Sequence, residues 1–185
     1  MIDYRLIRSR RKTISVELKN GSVIVRAPNR MPKRAIEAFV KKHEGWIEKQ
    51  RIKQSEQQRQ AQAVEKLTDK ELAALYEQAK AYLPARARYY ADLSGVDYGR
   101  ITIRCQKTRW GSCSQKKNLN FNCLLMLAPP EVIDSVVAHE ICHLTEMNHS
   151  ARFYELLLRI YPDYHRQNHW LKENGRLLMA RVPEE

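Results

Sequence analysis

One segment constrains the rest of the chain: His139-Glu140-Ile141-Cys142-His143. On an α-helix, residues four apart stand one turn apart on the same face. His139 and His143 would then present two imidazoles side by side. Two imidazoles at this spacing can grip one zinc ion, and Glu140, beside the first, can take a proton from water that the ion activates. The pattern needs a well-anchored helix, and the flanking residues supply one. Pro129 and Pro130 suit a helix entrance, and Glu131 complements the positive end of the dipole. Val132, Ile133, Val136, Val137, Ile141 and Leu144 recur at helical spacing. Asn148 reads as a left-handed stop, and Ser150 as the N-cap of a next helix carrying Phe153, Tyr154, Leu156, Leu157 and Ile160.

A third histidine, His149, falls in the turn between these two helices, from which it can swing back as a third ligand. Glu155, Glu173, His165 and His169 are the other downstream donors. His165 and His169 share one-turn spacing, but nothing adjacent adds a carboxylate or thiolate at clear metal-binding spacing. The four cysteines, Cys105, Cys113, Cys123 and Cys142, form no C-x-x-C pair, which argues against a four-cysteine zinc site. Cys142 lies on another side of the helix from His139 and His143 and reads as a small core residue.

At 185 residues the chain can bury one good core with a small appended lobe. Its hydrophobic fraction of 43% and charged fraction of 29% are ordinary for a globular protein. The N-terminal MIDYRLIRSRRK has no apolar leader, and no apolar run approaches a membrane span. The expectation is a cytoplasmic protein with no membrane partner and no disulfide framework. The net charge is +12, of which +10 falls in residues 1–60, while residues 139–185 are slightly acidic. So strong a bias in the N-terminal lobe suggests an acidic partner, with nucleic acid the commonest.

Residues 4–28 read as β-structure: residues 13–18 alternate, Asn20–Gly21 is a strong hairpin turn, and Val23, Ile24 and Val25 follow. Residues 33–53 read as one helix with Ala35, Ile36, Phe39, Val40, Trp46 and Ile47 on its apolar face. The polar, glutamine-rich residues 54–66 continue it as an exposed rod or form a flexible connector. The lobe boundary is placed here, giving residues 1–60 and 61–185. A second helical pattern runs over residues 69–91, with Thr68 and Glu71 spaced for a capping box and Pro84 threatening a kink or break. Residues 92–99 read as a turn and 101–105 as a strand. Residues 119–127 read as the last strand before the zinc helix, lying along the cleft with an edge that an extended peptide could join. Asn122 projects from that strand. Arg109 and Trp110, in the preceding strand-to-turn segment, are candidates for shaping the cleft. Residues 163–178 read as a final short helix.

The segments RWGSC at 109–113, VVAHEICHL at 136–144 and NHSARFY at 148–154 resemble the YgjP-like metallopeptidase family. RSRRKTISVELKNGSVIVRAP near the N-terminus and FVKKHEGWI resemble it too, so nearly the whole chain is covered. SprT-like and WLM-type proteases are similar in the zinc helix and histidine spacing. The His139-to-His149 spacing also matches metzincins, but Glu146 stands where they carry glycine, so this turn must be built another way. The resemblance implies an α+β, small zincin-like fold with an N-terminal β-hairpin lobe and a short sheet packed on the H-E-x-x-H helix. It implies zinc held by His139, His143 and His149, Glu140 as general base, and a peptide or protein substrate. Arg109, Trp110 and Asn122 are candidate substrate-binding residues by their position beside the cleft. Two other functions fit the sequence. One is a metal-dependent nucleoside triphosphate pyrophosphohydrolase, a label some members of the family carry. The other is a nucleic-acid-binding module in which zinc is structural.

Overall fold

The structure is a computed structural model that describes residues 2–19 and 21–183. The fold is α+β. The chain divides into two compact units, Met1–Ala63 and Val64–Glu185.

In the first unit, β1 (Arg5–Ser9), β2 (Ser15–Lys19) and β3 (Ser22–Pro28) form a sheet in the order β1-β3-β2. β2 and β3 are the antiparallel pair of the expected hairpin, and β1 adds to β3 in parallel. Of the expected Asn20–Gly21 turn, Asn20 lies outside the described residues, and Gly21 has φ +76°. Val23, Val25 and Ala27 alternate onto one buried face of β3. They meet Ile36 and Val40 of α1 (Lys33–Lys42) and Ile47 of α2 (Glu44–Ala63).

The single helix expected over residues 33–53 is two. His43 ends α1 at φ −101°, ψ 9°, and its Nδ1 lies 2.8 Å from the Phe39 carbonyl. A side chain that bonds back to the last turn competes with helix continuation. The break leaves Trp46, expected on the apolar face, 43% exposed. α2 then continues through the glutamine-rich run to Ala63 with Ile47 as its buried residue, so that run is a rod rather than a loose connector.

The second unit begins with α3 (Asp69–Ser94). The Thr68 hydroxyl accepts from the Glu71 backbone N–H, and the Glu71 carboxylate accepts from Thr68 N–H at 2.8 Å, completing the capping box. α3 does not break at Pro84. The carbonyl that loses its partner there belongs to Lys80, an exposed residue, so water can satisfy it. The helix outruns its expected end and closes on Gly95 at φ +64°.

β4 (Ile101–Arg104), β5 (Gly111–Cys113) and β6 (Leu119–Asn122) form the second sheet, in the order β4-β6-β5. The strand expected over residues 119–127 stops at Asn122. The Asn122 carboxamide oxygen accepts from Leu124 N–H at 3.2 Å and turns Cys123–Leu127 into a 3-10 helix. β6 is central, paired in parallel with β4 and antiparallel with β5, so it offers no free edge to a peptide. The open edges of this sheet belong to β4 and β5.

α4 (Pro130–Cys142) follows, then α5 (Ala151–Ile160) and α6 (Tyr164–Ala180). Pro130 at the first turn has no N–H to lose, as expected. Val132, Ile133, Val136, Val137, Ala138, Ile141 and Cys142 are all buried, so the helix is enclosed on nearly every side rather than along a stripe. It packs against α3, α5, α6 and β5. Burial pushes the Cys142 thiol up to about 12, consistent with an inert core residue. The helix ends at Cys142, six residues before Asn148, and no residue over 143–150 has a positive φ. Thr145 N–H and Glu146 N–H instead both donate to the Cys142 carbonyl. No described helix is long and apolar enough to cross a membrane.

The guanidinium of Arg86 on α3 forks onto the carboxylate of Asp134 on α4 at 2.7 and 2.6 Å. Their side chains are 29% and 16% exposed, so the pair is shielded more than a surface ion pair. Arg86→Ala would leave the Asp134 carboxylate half-buried without its partner. The expected cost is about 1–3 kcal/mol, seen as a lower urea midpoint. A double-mutant cycle with Asp134→Ala that returned no coupling would refute a role for this pair in docking the two helices.

Candidate metal centre

α4 presents His139 in its last turn, and His143 caps it with φ −65° and ψ −15°, close enough to helical to keep the shared face. The two Nε2 atoms lie 3.1 Å apart. The chain then turns through residues 143–150, and Ser150 caps α5 by accepting from Phe153 N–H at 3.3 Å. This turn returns His149 so that its Nε2 lies 3.1 Å from that of His139. Among the described residues these three form the one group of His, Cys, Asp or Glu side chains with converging metal donors, all within 4.8 Å of one another. Glu155, Glu173, His165 and His169 do not join it. His169 pairs with Glu173 on an exposed face at 3.2 Å, and His165 stacks on Tyr154.

The outer nitrogens of the rings decide what the inner ones offer. His143 Nδ1–H donates to the Glu146 carbonyl at 3.0 Å. A carbonyl can only accept, so the proton sits on Nδ1 and the Nε2 lone pair faces inward. The phenol oxygen of Tyr164 lies 3.1 Å from His139 Nδ1, and in the tautomer that frees Nε2 for a metal it accepts from Nδ1–H. Burial, and then the neighbouring imidazoles, hold His139 down at about 3, and burial also lowers His143. Neutral rings are what a metal requires. Lone pairs facing one another at 3.1 Å repel unless a cation lies between them. Two nitrogens bound to one tetrahedral zinc stand about 3.3 Å apart, from bond lengths of about 2.0–2.1 Å. The donor set therefore fits a zinc ion.

Phe153 braces the cluster. Its ring is fully buried, and its centroid lies 4.9, 4.6 and 4.8 Å from the rings of His139, His143 and His149. The sequence marks Phe153 only as part of an apolar helix face. Four residues after His149, it stands at the start of α5, where it reaches all three imidazoles.

Glu140 is buried, and burial raises its carboxyl to about 8, with the Arg109 charge pulling the other way. It rests against Gly111 of β5. A β-carbon at Gly111 would lie 2.6 Å from Glu140 Oε1 and 2.7 Å from its γ-carbon. The glycine of the RWGSC segment is thus a space that the carboxylate needs, and only the fold reveals it.

A cavity of about 200 Å³ opens beside these groups, lined by Trp110, Gly111, Ser135, Val136, His139, Glu140, Tyr164, Asn168 and Leu171. Trp110 is part of its wall and packs on α6, where a β-carbon at Gly175 would come within 3.0–3.3 Å of the indole. Arg109 is exposed and does not line the cavity. Asn122 is fully buried and also absent from the lining. Its amide N–H groups donate to the carbonyls of Gln106 at 2.6 Å and Arg109 at 3.0 Å, so it tethers the segment leading into Trp110 and Gly111. Tyr164, Phe153 and Gly111 are the site residues that spacing alone does not single out.

The YgjP-like, metallopeptidase domain model matches residues 12–73 and 62–174. No curated protein matches the chain. Among solved structures, it is similar to the metallopeptidase zymogen abylysin of Pyrococcus abyssi, with 16% identity over 51% of this chain and 96% of that one, at a TM-score of 0.45. It is similar to the zymogen jannalysin of Methanocaldococcus jannaschii, with 20% identity over 51% and 96% of the two chains, at a TM-score of 0.44.

Tyr164→Phe removes the acceptor for His139 Nδ1–H and keeps the ring. Zinc affinity should fall about 10–100-fold in a chelator competition, with the thermal midpoint of the metal-free protein little changed. Unchanged affinity would show that the phenol does not orient His139.

Proposed function

The chain belongs to the YgjP-like metallopeptidase family, and from that premise we propose that it hydrolyses peptide bonds with zinc held by His139, His143 and His149 and with Glu140 as general base. The observation that carries this reading is the convergence of three imidazole Nε2 atoms with a buried carboxylate on the adjoining residue of the same helix. Three protein donors are the catalytic type of zinc site, whereas structural sites close with four. Among the described residues no fourth donor joins the group, which weighs against a purely structural zinc.

Zinc in such a site supplies Lewis acidity, polarising a carbonyl and making water a nucleophile near neutral pH. Glu140 accepts the proton from the attacking water and returns it to the leaving amine. A divalent cation beside Glu140 would also favour its charged form, opposing the effect of burial. Tyr164 and the Glu146 carbonyl hold the rings of His139 and His143 in orientation.

Trp110, Asn168 and Leu171 shape a mainly apolar recess that suits one side chain of a peptide. The free edge of β5 is the place for an extended substrate to pair, because Gly111 brings that strand against Glu140. Arg109, adjoining this strand, would meet the substrate outside the recess. Asn122 would act indirectly, by holding the Arg109–Gly111 segment in place. The nucleotide hydrolase reading finds less support: among the described residues no lysine or arginine lines the cavity, and a triphosphate would need such charges.

Glu140→Gln should retain about one zinc per chain and lose about 10²–10⁴-fold in turnover on an unfolded protein substrate. Unchanged turnover would sink the assignment of the base. Gly111→Ala should also retain zinc, because it touches no ligand, yet lower turnover by pushing the carboxylate aside. Wild-type turnover in Gly111→Ala would show that Glu140 can relax without cost.

A further inference from the structure

The first unit carries +10 of the net charge, and its topology gathers much of that into one rim. β1 and β3 run parallel, with Arg8 opposite Ala27 and Ser9 opposite Pro28, so both strands exit at the same end of the sheet. The segment after β1 reads Arg8-Ser9-Arg10-Arg11-Lys12, and the segment after β3 reads Arg30-Met31-Pro32-Lys33-Arg34. Seven of these ten residues are cationic and none is acidic. An antiparallel arrangement of the same two strands would have sent the two clusters to opposite ends.

The rim is built rather than loose. Asn29 N–H donates to the Ser9 carbonyl at 3.1 Å, tying the two exits together. Arg8 is spent inward: its Nη1 donates to the carbonyls of Pro28, Asn29 and Met31 at 3.2, 2.8 and 2.8 Å. Its partners in the rim turn outward. Arg10, Lys12, Arg30 and Arg34 are exposed and make no ion pair among the described residues. Lys33 reaches Glu37 at a long 3.7 Å.

Two further features raise the local positive potential. α1 begins at this rim with Pro32 as a cap that makes no side-chain bond, and its first turn holds Lys33 and Arg34 with no acid. Cations at the positive end of a helix dipole repel it, so this placement costs stability. Arg11 Nε is a buried donor without a partner among the described residues. Such groups are rare in folded proteins. A row of anionic oxygens along the rim would relieve the repulsion at the helix end.

We propose that this rim, formed by Arg10, Arg11, Lys12, Arg30, Lys33 and Arg34, is a nucleic-acid-binding surface that grips the phosphate backbone without reading sequence. The chemistry favours a regularly charged polyanion over a single acidic side chain, because unpaired cations from two segments lie side by side. Backbone contacts of this kind release counterions and are strongly salt-dependent. The metal centre lies in the other unit, so this surface stands or falls independently of the peptidase reading.

The test uses the full chain and a fluorescein-labelled 20-base-pair DNA of arbitrary sequence, followed by anisotropy between about 50 and 200 mM salt. The rim variant combines Arg10→Gln, Lys12→Gln, Arg30→Gln and Arg34→Gln. A control combines Lys41→Gln, Lys42→Gln, Lys49→Gln and Lys53→Gln, which removes the same charge from exposed positions on α1 and α2. The wild type should bind. The rim variant should bind at least about tenfold more weakly at low salt, with its slope of log affinity against log salt shallower by up to about 3.6, at about 0.9 per lost phosphate contact. The control should stay close to wild type. Absence of wild-type binding at 50 mM salt would overturn the proposal. Equal losses in rim variant and control would also overturn it, since the attraction would then be diffuse. Phosphatidylserine vesicles bound as tightly, through the same four residues, would assign the rim to anionic surfaces in general and not to nucleic acid.

Discussion

The enclosure of α4 is the constraint from which the rest of the second unit follows. A helix with Val132, Ile133, Val136, Val137, Ala138 and Ile141 all buried cannot tilt or slide to suit its polar residues. Its polar groups must instead find partners where the core holds them. Asp134 meets Arg86, His139 meets Tyr164, and His143 meets the Glu146 carbonyl. The Nε2 atoms of His143 and His149 both meet that of His139, an arrangement that suits a shared cation. Rigidity thereby serves the chemistry, since ligand geometry has to be held by packing rather than assembled on demand.

The site draws on elements distant in sequence. β5 contributes the glycine beside Glu140, α5 the phenylalanine under the imidazoles, and α6 both Tyr164 and the surface that steadies Trp110. Asn122 links them indirectly. One buried carboxamide ends β6, opens the 3-10 helix and tethers the segment before Trp110. The side chain of a residue expected to face substrate has every polar atom engaged within the chain. The first unit shows the same economy of means: parallel pairing of β1 with β3 places two basic segments at one end of the sheet.

Local features were legible in the sequence because their causes span only a few residues. The His139–His143 spacing, the Thr68–Glu71 capping box, the Ser150 cap and the Pro129–Pro130 entrance each depend on chemistry within about one helical turn. Where expectation and structure part, a side chain intervened or an environment differed. His43 bonds back to Phe39 and splits one helix into two, and Asn122 converts half of an apolar run from strand to 3-10 helix. Pro84 is tolerated because the carbonyl it orphans is exposed.

The sequence by itself determined the helix that carries the two imidazoles and the carboxylate, the third histidine in the following turn, and the concentration of positive charge near the N-terminus. Periodicity, capping and composition encode these directly. Tertiary structure alone decided that His149 and not Glu155, Glu173, His165 or His169 converges on the first two rings, that Gly111 makes room for Glu140, and that Tyr164 holds His139 from 25 residues away. It also decided that β5 rather than β6 has a free edge. These are distances between segments that the chain must first fold to bring together, and the identity of a residue does not reveal which remote surface it will meet.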